Sequence, residues 1–181
     1  MKIISGTLKG RNIKGFNLDG TRPTMDRVKE SLFAMIQSYV KESVVLDLFS
    51  GSGNLGIEAI SNGAKLCYFN DINKECIKVI NDNINSFNIK DKTIILNRSW
   101  NDALSFLKNN SIKFDLIFLD PPYKMECLND VILKILDYKL LNNNGLIICE
   151  VGSNYLIEYE FLEQIKEKRY GDKIIIIYKN K

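Results

Sequence analysis

From Val44 onward, short apolar runs alternate with amphipathic segments along the chain. The runs lack polar alternation, as expected of parallel strands that are covered on both faces. Strands are predicted near residues 43–48, 65–70, 92–97, 114–119 and 145–150. Helices are predicted near residues 54–62, 73–87, 101–108 and 125–138. A β-branched run at residues 173–179 predicts a last, antiparallel strand near one edge. This order is typical of an α/β fold, with a mostly parallel sheet between helices.

The first 40 residues follow a different pattern. Residues 2–5 and 11–16 have the composition of two short strands around Gly6 and Gly10, which predicts a β-hairpin. The apolar positions that follow recur every three or four residues, and they predict a helix with Thr24 as its N-cap.

A glycine-rich turn follows the first strand of the alternating region. Residues 51–56 fit the pattern G-x-G-x-x-G. Glycine lets the backbone approach a ligand without a Cβ in the way, and the N-terminus of the next helix favours negative groups. Asp71 ends the next strand, where a ribose-binding carboxylate belongs. Both a nicotinamide dinucleotide and S-adenosylmethionine suit this arrangement.

Two further aspartates bear on the choice of cofactor. Asp47 directly precedes the glycines, where it would repel a pyrophosphate and attract the ammonium group of a methionine moiety. It therefore favours S-adenosylmethionine. Asp102 opens the helix after the third strand, where it can accept from an adenine amino group or act as a plain N-cap.

The segment Asp120-Pro121-Pro122-Tyr123 comes directly after an apolar strand. Open α/β sheets bind ligands at the carboxyl ends of strands, and in a doubly wound order this strand neighbours the first one. The Asp120 carboxylate and the Pro121 carbonyl can accept both N–H groups of a nucleobase amine. Tyr123 can stack on the base, a contact worth about 1–3 kcal/mol. Because a base must leave its helix to reach such a cleft, the segment predicts methylation of an extruded or single-stranded base.

The amino-acid composition excludes some kinds of catalytic site and indicates the kind of partner. The chain has no histidine, which excludes Ser-His-Asp and Cys-His catalysis, and its four cysteines lack metal-like spacing. No apolar run has the length of a membrane span, and the first residues do not form a signal peptide, so we expect a cytoplasmic protein without a metal. Residues 1–30 hold seven basic and three acidic residues, which suggests a polyanionic partner.

Together these motifs resemble the amino-methyltransferases that modify adenine, cytosine or guanine amines. The N-terminal segments narrow the resemblance to the bacterial RsmD family. The segments that carry it are residues 3–11, 21–33, 46–59 and 169–172.

The resemblance implies a Rossmann-like class I methyltransferase fold. Its mostly parallel seven-stranded sheet would have the last strand antiparallel and helices on both faces, after a small N-terminal β-hairpin. One domain would span residues 1–181, with the hairpin and a loop in residues 1–22 and the core in residues 23–181. The implied activity is methylation of guanine N2 in 16S ribosomal RNA, of the guanine-966 type, by S-adenosylmethionine.

The resemblance also assigns the site residues. The cofactor would be held by Asp47, Phe49, Ser50, Gly51, Gly53, Asp71, Ile72 and Asp102. The guanine amine would be held by Asp120, Pro121 and Tyr123. The basic residues expected to contact RNA are Lys9, Arg11, Arg22 and Arg27. We expect a monomer that acts on 16S ribosomal RNA within a small subunit or an assembly intermediate.

Three other functions compete with this interpretation. A minimal DNA adenine-N6 methyltransferase shares the amine site, but such enzymes generally append a large target-recognition domain. A non-catalytic RNA-binding module has no need for Asp47, Asp71 and Asp120 around one crevice. A nicotinamide oxidoreductase fits the glycine turn and Asp71, but Asp47 would repel the pyrophosphate of its cofactor.

Overall fold

The computed structural model describes residues 1–15, 23–121, 127–152 and 159–181, with only the backbone for residues 23–25. Helices and strands alternate over most of this length. In chain order they are α1 (Pro23–Val40), β1 (Val44–Asp47), α2 (Asn54–Ser61), β2 (Leu66–Asn70), α3 (Lys74–Phe87), β3 (Thr93–Leu96), α4 (Trp100–Asn109), β4 (Phe114–Leu119), α5 (Leu128–Asp137), β5 (Leu141–Gly152), β6 (Leu162–Tyr170) and β7 (Lys173–Asn180).

The seven strands form one sheet in the order β3-β2-β1-β4-β5-β7-β6. Strands β1 to β5 pair in parallel, and β7 lies antiparallel between β5 and β6. This confirms the predicted doubly wound sheet with an antiparallel last strand. The strand order reverses between β1 and β4, and open α/β sheets bind ligands beside such a point.

Two apolar layers cover the sheet. Alternate residues of a strand point to opposite faces, so Val45 packs with α1, α2 and α3, while Leu46 packs with α4 and α5. Both residues are fully buried. Because the central strands are covered on both sides, their sequences are continuous apolar runs.

Two local predictions differ from the structure. Helix α1 begins at Pro23, so Thr24 lies inside the first turn and its predicted role as N-cap is wrong. Proline suits a first helical position because the N–H that it lacks would have no partner there. Strand β6 was not located by the sequence pattern, because most of its residues are charged and exposed, as at Glu163, Lys166 and Glu167.

The N-terminal hairpin is reduced to a single antiparallel bridge between Lys2 and Asn12. The residues between its arms bond to α2 instead: the Ser5 N–H donates to Glu58 and the Thr7 N–H to the Ser61 carbonyl. Most of the predicted loop at residues 15–20 lies outside the described part of the chain. None of the described helices is long and apolar enough to cross a membrane.

Candidate active site

Three carboxylates converge at the carboxyl ends of three neighbouring strands. Asp47 ends β1 and pairs in register with Phe69 of β2 and Phe118 of β4. Asp71 and Asp120 each follow two residues after those partners, and adjacent strands lie only about 4.8 Å apart. The predicted meeting of the glycine turn and the Asp120 segment at one edge of the sheet is therefore present.

Hydrogen bonds to the ends of β1 and β2 hold the glycine turn in place. The Ser50 hydroxyl donates to the Asp47 carbonyl at 2.6 Å, and the Ser50 N–H donates to the Asn70 carbonyl at 2.9 Å. Gly51 and Gly53 adopt φ values of 53° and 81°, a conformation that favours glycine. A Cβ at Gly51 would meet no atom within 4 Å, so a ligand can approach its backbone.

The third glycine of the motif serves packing. A Cβ at Gly56 would lie 2.3 Å from the Phe69 ring, so α2 can approach β2 only with glycine here. This approach brings the Gly56 N–H to the Asp47 Oδ2, to which it donates at 3.0 Å. The first turn of α2 thereby orients the carboxylate that precedes the glycine turn.

Asp71 is half-buried and bridges two backbone segments. Its Oδ2 accepts from the Gly51 N–H at 2.9 Å, and its Oδ1 accepts from the Asn73 N–H at 2.9 Å. Carboxylate oxygens have further lone pairs, so the group can still accept from hydroxyls of a ligand. Ile72 beside it is 66% exposed, which leaves an apolar surface next to the carboxylate.

Asp102 takes part in the cap of α4. Ser99 is the N-cap: its hydroxyl accepts from the Asp102 N–H at 3.1 Å and donates to the Asp102 Oδ2 at 2.7 Å. This is a reciprocal capping arrangement, so Asp102 has a structural role at the helix start. Asp102 is exposed to solvent. Phe49, which precedes the glycine turn, is half-buried against the apolar layer that contains α4 and α5.

Burial and the neighbouring carboxylates disfavour ionisation of Asp47 at this edge of the sheet. Burial raises the pKa of Asp47 to about 7, the bond from Gly56 opposes that rise, and the charges of Asp120 and Asp71 add to it. The three like charges are thus brought together at a cost in stability. A ligand with a positive charge at this point would relieve that repulsion.

Asp120 follows β4 as an exposed residue, which leaves its carboxylate within reach of a substrate. The surrounding protein nevertheless desolvates the carboxyl group and raises its pKa to about 7. The charge of Glu150 raises this pKa further, while Lys173 lowers it. Neither of these two neighbours was identified from the sequence, although Glu150 stands near the end of β5 much as Asp120 stands after β4.

The structure describes only some of the remaining predicted residues. Pro121 is half-buried, whereas Tyr123 and Arg22 lie outside the described residues. Lys9 and Arg27 are exposed.

Arg11 is exposed but has protein partners. Its guanidinium donates to the Ser86 carbonyl at 2.5 Å and lies 4.5 Å from the Phe87 ring centroid, at the end of α3. This side chain therefore helps to attach the N-terminal segment to the core.

A buried ion pair holds the N-terminal segment against the elements that form the site. Lys29 of α1 donates to the Glu58 Oε2 at 2.8 Å, to the Asn54 Oδ1 at 2.8 Å and to the Lys2 carbonyl at 2.6 Å. Both charged side chains are almost completely buried. Sequence reasoning missed this pair, because nothing local to either residue signals the other.

Among the described residues, no three His, Cys, Asp or Glu side chains lie close enough together to hold a metal ion, and this includes Asp47, Asp71 and Asp120. The site instead presents three separate carboxylates beside the uncrowded backbone of Gly51, which suits an organic cation with hydroxyl groups.

Comparison with known proteins agrees with this geometry. Over 184 residues the chain is 35% identical to Ribosomal RNA small subunit methyltransferase D of Haemophilus influenzae, covering 99% of this chain and 94% of the relative. The solved structure of yhhF from Escherichia coli superposes with a TM-score of 0.86 at 26% identity, covering 100% and 98% of the two chains.

A more distant structure, SMU.776 in complex with SAH, shares the fold at 16% identity. Its TM-score is 0.73, with 86% of this chain and 49% of that one covered. Residues 1–179 also match the family described as conserved hypothetical protein 95. The chain therefore belongs to this family, which is the RsmD family that its motifs indicate.

Proposed function

We propose that this protein methylates the exocyclic N2 amine of a guanine in small-subunit ribosomal RNA, with S-adenosylmethionine as methyl donor. The observation that carries the proposal is the convergence of Asp47, Asp71 and Asp120 at one edge of the sheet, in a chain related to rRNA methyltransferases. The target nucleotide would be of the guanine-966 type.

The residues present fit this cofactor. S-adenosylmethionine supplies an electrophilic methyl group on a positively charged sulfonium. Asp47 would attract the positive charges of its methionine end, Asp71 would accept from the ribose hydroxyls, and the open Gly51 backbone would lie against the ligand. The exposed Ile72 offers an apolar contact for adenine, and Asp102 keeps acceptor capacity beside its capping bond. Phe49, Ser50 and Gly53 would shape the turn around the cofactor.

The Asp120 segment would hold the guanine amine. An aromatic amine is a weak nucleophile because its lone pair is delocalised into the ring. Hydrogen bonds from its two N–H groups to the Asp120 carboxylate and the Pro121 carbonyl would favour a more tetrahedral nitrogen and orient it. Ionised Asp120 is the stronger acceptor, and only the ionised carboxylate can take up the proton that the amine loses. Tyr123 is proposed to stack on the base.

RNA as substrate is supported by the related protein from Haemophilus influenzae and by the exposed cations Lys9 and Arg27. Arg11 and Arg22 complete the proposed RNA contacts. Such contacts position an RNA without reading its sequence, and they weaken as salt rises. We propose that the protein acts in the cytoplasm as a monomer, on 16S ribosomal RNA within a small subunit or an assembly intermediate.

A methyl-transfer assay tests the proposal. Tritiated S-adenosylmethionine would be incubated with protein and either small ribosomal subunits that lack the modification or unmethylated DNA, and the labelled nucleoside would be identified. We expect N2-methylguanosine in 16S ribosomal RNA. Label in adenine of DNA, with none in this RNA, would instead establish the DNA methyltransferase alternative.

Substitution of the proposed catalytic carboxylate sharpens this assay. Asp120→Asn removes the negative acceptor, so we expect transfer to fall at least about 100-fold while cofactor affinity changes little. The matched control is Asp137→Asn, an exposed aspartate at the end of α5, which should transfer at the wild-type rate. Equal rates for D120N and wild type would contradict the proposed role.

A further inference from the structure

A row of charged side chains crosses the sheet beside Asp120. Leu119 of β4 pairs in register with Cys149 of β5, which places Asp120 and Glu150 next to each other at the ends of adjacent strands. Lys173 opens β7, the next strand, and pairs with Gly152. Its Nζ forms an ion pair with the Glu150 Oε1. From β4 to β7 the row therefore consists of the Asp120 carboxylate, the Glu150 carboxylate and the Lys173 ammonium group.

All three side chains lie on the same side of the sheet. Phe118, Ile148 and Ile175 belong to the layer with α1, α2 and α3, and each stands two residues away from one member of the row. Since side chains alternate along a strand, the members point to that same side. The Glu150 and Lys173 side chains are only 16% and 35% exposed, so water screens their charges less than on an open surface.

A tight hairpin fixes the position of the ammonium group. Tyr170 pairs with Lys173, and the two residues between them include Gly171 with φ 60°. A two-residue hairpin of this kind determines the register of its strands. The turn belongs to residues 169–172, which carry part of the family resemblance but have no role in the chemistry proposed above.

Two neighbouring carboxylates resist simultaneous ionisation unless a cation lies nearby. We propose that Lys173 is a positioning residue: held by Glu150, its ammonium group keeps the Asp120 carboxylate ionised and ready to accept from the substrate amine. The inference rests on the proposed function of Asp120.

The electrostatic environment supports this role. Burial is the largest cause of the raised pKa of Asp120, which is about 7. The charge of Glu150 raises this pKa further, and the charge of Lys173 lowers it. Among the described residues, the charged groups that act on Asp120 are Asp47 from β1, Glu150 from β5 and Lys173 from β7. Lys173 is the cation of this set, so its removal takes away the charge that lowers the pKa of Asp120 among the described residues.

The experiment titrates Asp120 directly and then measures its consequence. The carboxyl carbon of Asp120 would be followed by carbon-13 NMR between pH 4 and 10, with the signal assigned from Asp120→Asn. In parallel, single-turnover methyl transfer to small subunits would be measured over the pH range at saturating S-adenosylmethionine. The variants are Lys173→Met, Lys173→Arg and Glu150→Gln, with Lys179→Met as a control at the far end of β7.

Lys173→Met and Glu150→Gln should shift the titration midpoint of Asp120, and with it the midpoint of the pH–activity profile, in opposite directions. Lys173→Met should raise both midpoints by about half a pH unit or more, which lowers transfer at pH 6 about threefold and restores it at pH 9. Glu150→Gln should lower both midpoints. Lys173→Arg keeps the charge and should restore the wild-type profile, and Lys179→Met should not differ from it.

An unchanged Asp120 midpoint in Lys173→Met would overturn the inference. If Lys173→Met does not fold, Lys173→Gln takes its place, since this variant also removes the positive charge and must raise the Asp120 midpoint. Shifted NMR midpoints in a protein that transfers no methyl group to RNA would instead leave the electrostatic pair in place and reject the proposed function.

Discussion

Two groups of charged side chains in this molecule are arranged in opposite ways. In the first, Lys29 and Glu58 are buried as a pair, and backbone groups and Asn54 provide further bonds. In the second, Asp47, Asp71 and Asp120 bring three negative charges to one edge of the sheet.

The difference separates structure from function. A buried charge that serves the fold is compensated within the protein, as Lys29 and Glu58 are. Like charges that repel one another oppose folding, so they persist where a ligand provides the compensation. The second group therefore marks the ligand site more clearly than the glycine motif does, because glycine turns also occur for purely conformational reasons.

The largest effect is expected from breaking the compensated pair. Lys29→Met leaves Glu58 buried without its cation, which should cost about 3–5 kcal/mol in the free energy of unfolding measured in urea. Lys14→Met is the matched control, because Lys14 pairs with Asp82 at 3.5 Å on the surface and should lose less than about 1 kcal/mol. Equal losses in the two variants would contradict the distinction drawn here.

Neutralising one of the repelling carboxylates should have the opposite sign. The pKa of Asp47 is raised from 3.8 to about 7, so the folded state binds its proton more tightly and loses stability as pH rises between these values. Asp47→Asn should therefore stabilise the protein at pH 8 by up to about 4 kcal/mol while weakening cofactor binding. Thermal unfolding at pH 8 and pH 4 measures this, and the gain should vanish at pH 4. A variant less stable than wild type at pH 8 would contradict the expected cost of ionising Asp47, to which burial contributes most and the charges of Asp120 and Asp71 contribute less.

The smallest effect concerns the pH dependence of cofactor binding. Asp47 attracts a cation only when ionised, so affinity for S-adenosylmethionine should fall from pH 8 to pH 6, by up to about tenfold for a midpoint near 7. Calorimetric titration gives both the affinity and the number of protons released. In Asp47→Asn the dependence should flatten; the same slope in the variant and wild type would assign it to another group.

The sequence predicted β1 to β5 well, because strands buried on both faces have continuous apolar runs. It also placed Asp47, Asp71 and Asp120 together, since each stands at the end of a parallel strand and such ends share one edge. Strand β6 was missed because its exposed charged residues lack any apolar period.

Contacts between distant segments could not be predicted in the same way. Lys29 and Glu58 are polar residues in helices, which the sequence alone places on exposed faces. Their burial depends on how α1, α2 and the N-terminal segment pack together. Similarly, Lys173 reaches Glu150 only because β7 inserts beside β5, a pairing fixed by tertiary structure.

The charged edge strand β6 has a consequence for the behaviour of many copies at high concentration. An uncovered strand offers unpaired N–H and C=O groups to any other uncovered strand, which is a common start of aggregation. Lys166, Glu167, Lys168 and Arg169 follow one another here, all exposed. A second chain that added to this edge would have to dehydrate these groups, so the sequence of β6 protects the molecule from growing into a continuous intermolecular sheet.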